Sequence, residues 1–505
     1  MKFNRFFLTT IMTLVMFIVV QVLVGICESN LAYAVKDEMD KENDIIEEDI
    51  EEELDKEDLV DTLRVGLLHG DKVVTDEVEV EKPGDYLIGF RTDDDDFEKH
   101  DIVRDKIEIK WDDNEKLWKL KGESLDAEVD NDHPLVIKPD TGNPNPMKLK
   151  NNERRYRGEL ELKVNEDGEI IVINVVELED YLKGVVPAEV YVKWEMEALK
   201  AQAVAARSYA LFSRDRNMGR YDYFDLTDDT ESQVYAGYDR EYDRTNEAVK
   251  ATSGELVTNE GNIINALYHS NAGGYTEAAE NVWGSEIGYL KQKESPWDEI
   301  ALEEETAVQA YEWEVTRTAE EISEVLNEEY DIGDLKDIEI LERNNETGRV
   351  LKVKYIGDKG EEEIMGDFNR EPLGLRSTNF EIVTKGKNSS QDGVDRVSDL
   401  FILSKREETI EFNQGEVYVI EENGERKALG ENYYVEGSKD VKTAKSETSA
   451  GRVEEFVFKG KGFGHGTGMS QWGAQGKALE GYDYEEILKY YYTGDIEITE
   501  IDEIN

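Results

Sequence analysis

The chain has 505 residues, with 59 Lys+Arg against 117 Asp+Glu, a formal net charge of −58. That length exceeds one compact core and implies two to four domains, and 39% hydrophobic residues suffice to fill them. The charge excludes nucleic acid as a main partner, because phosphates are repelled along most of the surface, and it disfavours anionic lipid equally.

Lys2 and Arg5 precede an apolar run from Phe6 to Ile26, and Ala32-Tyr33-Ala34 supplies an A-x-A cleavage signature. Residues 1–34 read as a cleaved signal peptide or, since the run approaches the about 20 residues that span a bilayer, as an uncleaved anchor. Either way the remainder is expected outside the cytoplasm, touching membrane only through this segment. Cys27 is the one cysteine and lies within it, after Ile26, a poor fit to lipoprotein processing. The mature chain then has no disulfide, no thiol nucleophile and no cysteine-based zinc site. Five scattered histidines offer little for an all-histidine metal centre, and no cofactor is predicted.

Residues 35–60, acidic with few apolar anchors, read as a solvated linker. Charge spread this widely suits a protein kept hydrated in high salt, where screening over roughly 3 Å at molar ionic strength removes most self-repulsion. A halophilic source is expected. Residues 61–150 carry short β-like pieces (LRVGLL, KVVTDEVEVE, DYLIGF, KIEIKW, KLWKLKG) and read as a β-rich N-terminal lobe. Pro134, Pro139, Pro144 and Pro146 cluster after them and predict a boundary or stiff loop.

A core is expected over residues 151–385. ELELKV and EIIVINVV around Asp167-Gly168 predict a hairpin. KWEMEALKAQAVAARSYALFSRDRN predicts the strongest helix, with Met196, Leu199, Ala203, Ala206 and Ala210 as a stripe of mostly small residues and Gly219 ending the pattern. Residues 315–331 predict a second amphipathic helix; DIEILER, RVLKVKYIG and LGLRSTNFEIV predict strands. Residues 386–455 read as a peripheral β-rich insertion. The core then resumes over 456–505 with the glycine-dense KGFGHGTGMSQWGAQG and a helical DYEEILKYYYTG. The expected class is α+β: a mixed sheet packed on a prominent central helix, with that N-terminal lobe and insertion. No 20–50-residue repeat supports a solenoid.

Among so many carboxylates the informative one stands in an apolar setting. Glu189, in GVVPAEVYV, is flanked by Val185, Val186, Pro187, Ala188 and Val190. Desolvation there raises a carboxyl pKa, as a general acid working near neutrality requires. A buried Glu capping the next helix, entered through Pro187, is the other reading. Lys200 and Arg207 are seven residues apart, two turns along one helix face. They are either solvent-facing cations or groups that hold a substrate hydroxyl or carboxylate and stabilise charge as a glycosidic bond breaks. Cations close to Glu189 would lower its pKa against the apolar effect. YHSNAGGYTE sets His269 and Ser270 ahead of Gly273 and Gly274; GFGHGTGMSQWGAQG sets His465 ahead of Ser470, Gln471 and Trp472. Neither has a phosphate-loop ending. They read as tight turns or as the walls of a carbohydrate groove.

Together YRGEL, VELEDYLKGVVPAEVYVKWEMEALKAQAVAARSYAL, YHSNAGGYTE, LGLRSTNF and GKGFGHGTGMSQWGAQG resemble the stage II sporulation protein D family (SpoIID/LytB), in its order, from about Arg154 to Thr493. The resemblance implies an exported lytic transglycosylase acting on the glycan strands of peptidoglycan in sporulation or wall remodelling. It implies Glu189 as acid/base with Lys200 and Arg207 as functional cations. His269, Ser270, Gly273, Gly274, His465, Ser470 and Gln471 then line the cleft, and Tyr289, in GYLKQ, matches a further functional tyrosine. The alternative is a non-catalytic wall-binding enhancer of a cell-wall amidase. Some family members bind a metal partly through cysteines near the HS…GG loop; this mature chain has none, so no metal is predicted.

Overall fold

A computed structural model describes residues 62–504 except 93–95, 132, 141–144, 217–220 and 371–372; between 387 and 452 it describes four short strands alone. The expected signal or anchor, the acidic linker, Gly219 and most of the insertion lie outside the described residues. Among the described residues no helix is long and apolar enough to cross a membrane.

Alternating apolar and polar residues build one large sheet. Its strands are β1 (Thr62–Leu68), β2 (Val78–Arg91), β3 (Phe97–Asp112), β4 (Leu117–Gly122), β5 (Asp126–Val129), β6 (Leu135–Pro139), β7 (Met147–Leu149), β8 (Arg154–Tyr156), β9 (Glu159–Val164), β10 (Ile170–Glu177) and β11 (Leu226–Thr227). The order is β11-β1-β10-β9-β6-β2-β3-β4-β5, with β7 paired to β2 off that path and β8 paired to β7. The predicted hairpin is β9–β10, in register from Val164↔Ile170 to Glu159↔Val175.

Two expectations change here. The proline cluster does not make a loop throughout: Leu135, Val136 and Ile137 are buried in β6, an interior strand between β9 and β2. Three successive apolar residues outweigh prolines that fall at the strand's flank and end, where the missing amide is tolerated. Consequently β1 pairs with β10 and β6 with β9, so the sheet runs through residue 150 and joins the N-terminal strands to the core.

Two helices pack on this sheet. Helix α1 (Leu178–Glu189) was not expected. Pro187 biases its predecessor away from helix, which masks the spacing of Leu178, Tyr181, Leu182, Val185 and Val186, all buried in the main core. Helix α2 (Met196–Arg216) is the predicted one. Its Leu199, Ala203, Ala206 and Ala210 stripe enters the main core, while Ala201, Val204 and Ala205 on other faces enter a second cluster with Ile487, Leu488 and Tyr491. Burial on opposite faces makes α2 the central helix.

The remaining expectations are partly corrected. Residues 315–318 belong to strand Glu312–Thr318, and the helix runs only over Ala319–Asn327. Thr318 ends the one and caps the other: Glu321 N–H donates to its Oγ1 at 3.1 Å, and its own N–H donates to Glu321 Oε2 at 2.7 Å. In LGLRSTNFEIV the strand begins only at Phe380 (Phe380–Gly386). Strand Val453–Lys461 lies between it and Glu312–Thr318, with Gly386 opposite Val453. The insertion therefore starts and ends on adjacent antiparallel strands. The end of the glycine-dense block, from Gln471, is helix Gln471–Leu479, in which a Cβ at Gly473 would collide with Tyr491 and one at Gly476 with Trp297. The final helix is Tyr484–Tyr491.

Candidate active site

Glu189 ends α1 half-buried. Val234 N–H donates to its Oε1 at 2.9 Å, and Gln471 Nε2 donates to its Oε2 at 3.2 Å. The Gln471 amide is steadied by Gln202 Oε1 of α2 at 3.5 Å. Val234 is fixed by its neighbours: Gln233 Nε2 donates to Ala206 O at 3.1 Å and Tyr235 N–H to Asp228 O at 3.1 Å. Burial pushes the carboxyl above its ordinary pKa. The Val234 amide, the Gln471 amide and the Tyr268 hydroxyl favour the ionised form without overcoming burial. Neither a cation nor a second carboxylate figures among these influences.

The two glycine blocks meet through a short parallel ladder, Tyr268↔Met469 and His269↔Ser470. Thr467 N–H donates to His465 Nδ1 at 3.1 Å, so the other ring nitrogen, Nε2, carries hydrogen toward Tyr268 O at 3.1 Å. His269 Nδ1 lies 3.0 Å from Thr467 O, and the two imidazoles meet edge to face at 5.4 Å. Burial holds both neutral: His269 falls well below the usual range and His465 to about 4. At neutral pH they tie loops together rather than supply protons.

Ser470 organises the rest. Its buried hydroxyl donates to Asp298 Oδ1 at 2.5 Å and accepts from Ala272 N–H at 3.3 Å and Gly473 N–H at 3.2 Å, capping the helix that presents Gln471. Gly274 N–H donates to Asp298 Oδ2 at 3.1 Å, and Gly273 N–H to Asn271 Oδ1 at 2.8 Å. Gly273 has φ +72°, and a Cβ there would press on the Lys461 backbone. Ser270 contributes its carbonyl, which accepts from Trp472 N–H at 3.1 Å. Burial raises Asp298 to about 6.

Three predicted residues bond elsewhere. Arg207 is wholly buried: its Nε and Nη2 meet Glu179 at 2.7 and 2.9 Å, and Nη1 meets Glu255 O at 3.0 Å. Lys200 pairs with Glu197 at 2.8 Å. Position 202 lies about 200° around α2 from position 200, so the helix turns Gln202 to the Glu189 side and both cations away from it. The Tyr289 hydroxyl accepts from Asn265 N–H at 3.1 Å within the second cluster.

Sequence reasoning passed over Tyr268, Gln202, Asp298 and an aromatic shelf. Tyr191, 42% exposed and two residues past Glu189, packs on Trp194 and Trp472 with centroids 5.7 Å away; those two rings are 4.9 Å apart. The aromatic-x-x-aromatic spacing after PAE was the available signal. Beside Pro187, Ala188 and Val234 opens a cavity of about 510 Å³, also lined by Lys148, Arg154, Arg155 and Arg240.

The Stage II sporulation protein family model, SpoIID, matches residues 166–259, which contain β10, α1, α2 and Glu189. Over this stretch the chain is similar to the SpoIID family. The "Stage II sporulation protein D" of Bacillus subtilis (strain 168) is 28% identical over 345 residues, 65% of this chain and 76% of that protein. The protein of the same name from Bacillus amyloliquefaciens is 28% identical over 340 residues, 65% of this chain and 75% of that protein. The "Amidase enhancer" of Bacillus subtilis (strain 168) is 30% identical over 320 residues, 62% of this chain but only 39% of that protein. The SpoIID resemblance of the sequence thus stands, with relatives named for sporulation and for amidase enhancement.

Proposed function

We propose that this chain is an exported lytic transglycosylase that cleaves peptidoglycan glycan strands with Glu189 as its acid/base. The observation that carries the reading is the half-buried Glu189 carboxyl, raised in pKa by burial and oriented by Val234 and Gln471. A glycoside hydrolase ordinarily uses two carboxylates about 5–9.5 Å apart, the second as nucleophile or as base for water. One suffices when the sugar supplies its own nucleophile. Glu189 gives its proton to the glycosidic oxygen as the C1–O bond breaks. The sugar's 6-hydroxyl oxygen then bonds to C1, and the hydroxyl proton returns to Glu189. The product is a 1,6-anhydro ring, no water is consumed, and the intramolecular attack has a high effective molarity. Tyr191 beside the acid offers a face for a sugar ring to stack on.

The relative named "Amidase enhancer" supports a second reading, a wall-binding partner of a cell-wall amidase that breaks no glycan bond. Incubation of the chain with purified glycan strands and mass analysis of the products separates the two. Anhydro-terminated fragments are expected. Reducing ends mean a hydrolase, and intact strands with folded protein mean the enhancer.

A further inference from the structure

At the edge of the large sheet where β11 meets β1, three side chains of metal-ligand type come together. The parallel register Val65↔Leu226 and Gly66↔Thr227 carries both strands out of the sheet side by side. His69 follows β1 directly, and Asp228 and Asp229 follow β11 directly. Sheet register therefore sets their proximity. One ligand atom from each of the three lies within 4.8 Å of those of the other two.

Two of these groups carry a buried polar atom that makes no hydrogen bond. Asp228 is 7% exposed; its Oδ2 accepts from Arg154 Nη1 at 3.3 Å, but its buried Oδ1 accepts no hydrogen bond. His69 Nε2 is buried and also makes none. Such groups are costly in a folded protein. Asp229 is held in place by Thr227 Oγ1 at 3.1 Å and Glu231 N–H at 3.2 Å, both donating to Oδ1. Two cations stand beside them: Arg154, on Asp228 Oδ2, and Lys72, whose Nζ is 2.6 Å from Asp229 Oδ2 and 3.7 Å from Asp228 Oδ1. The second is the one close to both carboxylates. Its side chain is 41% exposed, on a flexible stem that can swing into solvent.

We propose that His69, Asp228 and Asp229 bind a divalent transition-metal ion of the zinc type, with the Lys72 ammonium as its displaceable stand-in. One imidazole and two carboxylates suit such an ion and leave a fourth position for water, whereas Ca²⁺ and Mg²⁺ call for oxygen ligands throughout. The ion is structural. Asp228 O accepts from Tyr235 N–H, so a clamp on Asp228 steadies the segment whose Val234 amide holds Glu189.

The test uses the full chain, stripped with chelator and titrated with Zn²⁺ alone in molar NaCl, which screens loose binding to the acidic surface. Calorimetry is expected to give saturable binding of one ion, accompanied by a rise in melting temperature. His69→Ala and Asp228→Asn should each lose that binding while keeping the parent's circular dichroism, and Lys72→Met should bind more tightly. Diffraction at the zinc absorption edge on the parent locates the ion without any variant. The proposal is overturned by an absence of saturable binding, by an ion found away from these three residues, or by weaker binding in Lys72→Met.

Discussion

Gln471 Nε2 donates to Glu189 Oε2 at 3.2 Å, joining side chains 282 residues apart. The acid at the end of α1 and the C-terminal glycine block are thus two walls of one site. Removal of the donor has a definite sign. Gln471 stabilises the charged carboxylate, so Gln471→Ala should raise the Glu189 pKa further. The alkaline limb of the cleavage pH profile is expected about one pH unit higher, the weight of one hydrogen bond to a charged group. A profile that merely shrinks without moving contradicts this.

Glu189→Gln should abolish cleavage by about a hundredfold or more, the usual share of a general acid. Stability should not suffer. A carboxyl whose folded pKa is raised contributes stability that is fully present below its unfolded value of 4.5 and is lost as pH rises through the folded pKa. At pH 7 the neutral amide removes that cost. Thermal melting is expected at or above the parent's temperature, and a fall of several degrees alongside lost activity would point to packing instead.

Arg207→Ala and Lys200→Ala should separate cleanly in urea unfolding. The first strips Glu179 and the carbonyls of Glu255 and Val249 of a wholly buried partner, at about 3 kcal/mol or more. The second removes a partly exposed pair with Glu197 and should cost less than about 1 kcal/mol. Equal losses would mean that the Arg207 cluster is not the clasp its geometry describes.

His465 gives the fold an acid sensitivity. The unfolded imidazole takes a proton below 6.5, and the folded one refuses it until about 4. Stability therefore falls as pH drops through that window, by on the order of 3 kcal/mol from this residue. Urea midpoints of the parent and of His465→Gln, measured from pH 7 to pH 4, should converge toward the acid end. Parallel curves would remove His465 as the cause.

Gly466 has φ +87°, and the space its Cβ would need is filled by the buried Arg349 guanidinium. Gly466→Ala should cost about 3 kcal/mol through strain and overpacking together, read as a lowered urea midpoint. An unchanged midpoint would show that the loop yields freely.

Periodicity made the β9–β10 hairpin, α2 and helix Tyr484–Tyr491 legible, because each has a clear buried stripe or alternation. Proline hid two elements for opposite reasons: Pro187 masked the end of α1, and Pro134 with Pro139 masked β6. The apolar setting of Glu189 was visible from its neighbours, and the motif order pointed to Gln471. The seven-residue spacing correctly put Lys200 and Arg207 on one face. Spacing does not say which face meets the acid, and α2 is buried on opposite sides, so its apolar pattern does not orient the guess. His69 and Asp228 were illegible because the parallel β1–β11 pairing that unites them spans about 160 residues of chain.

Gly386 and Val453 face each other across two paired strands, while the chain between them carries 66 residues in the numbering. A connection of two to five residues closes such a ladder as well. That rung is therefore a natural port: the scaffold could exchange what is spliced there for a tight turn or a foreign module and keep the register of Phe380–Gly386 on Val453–Lys461, giving up the short outer strand Arg396–Val397 that pairs with Val383 and Thr384.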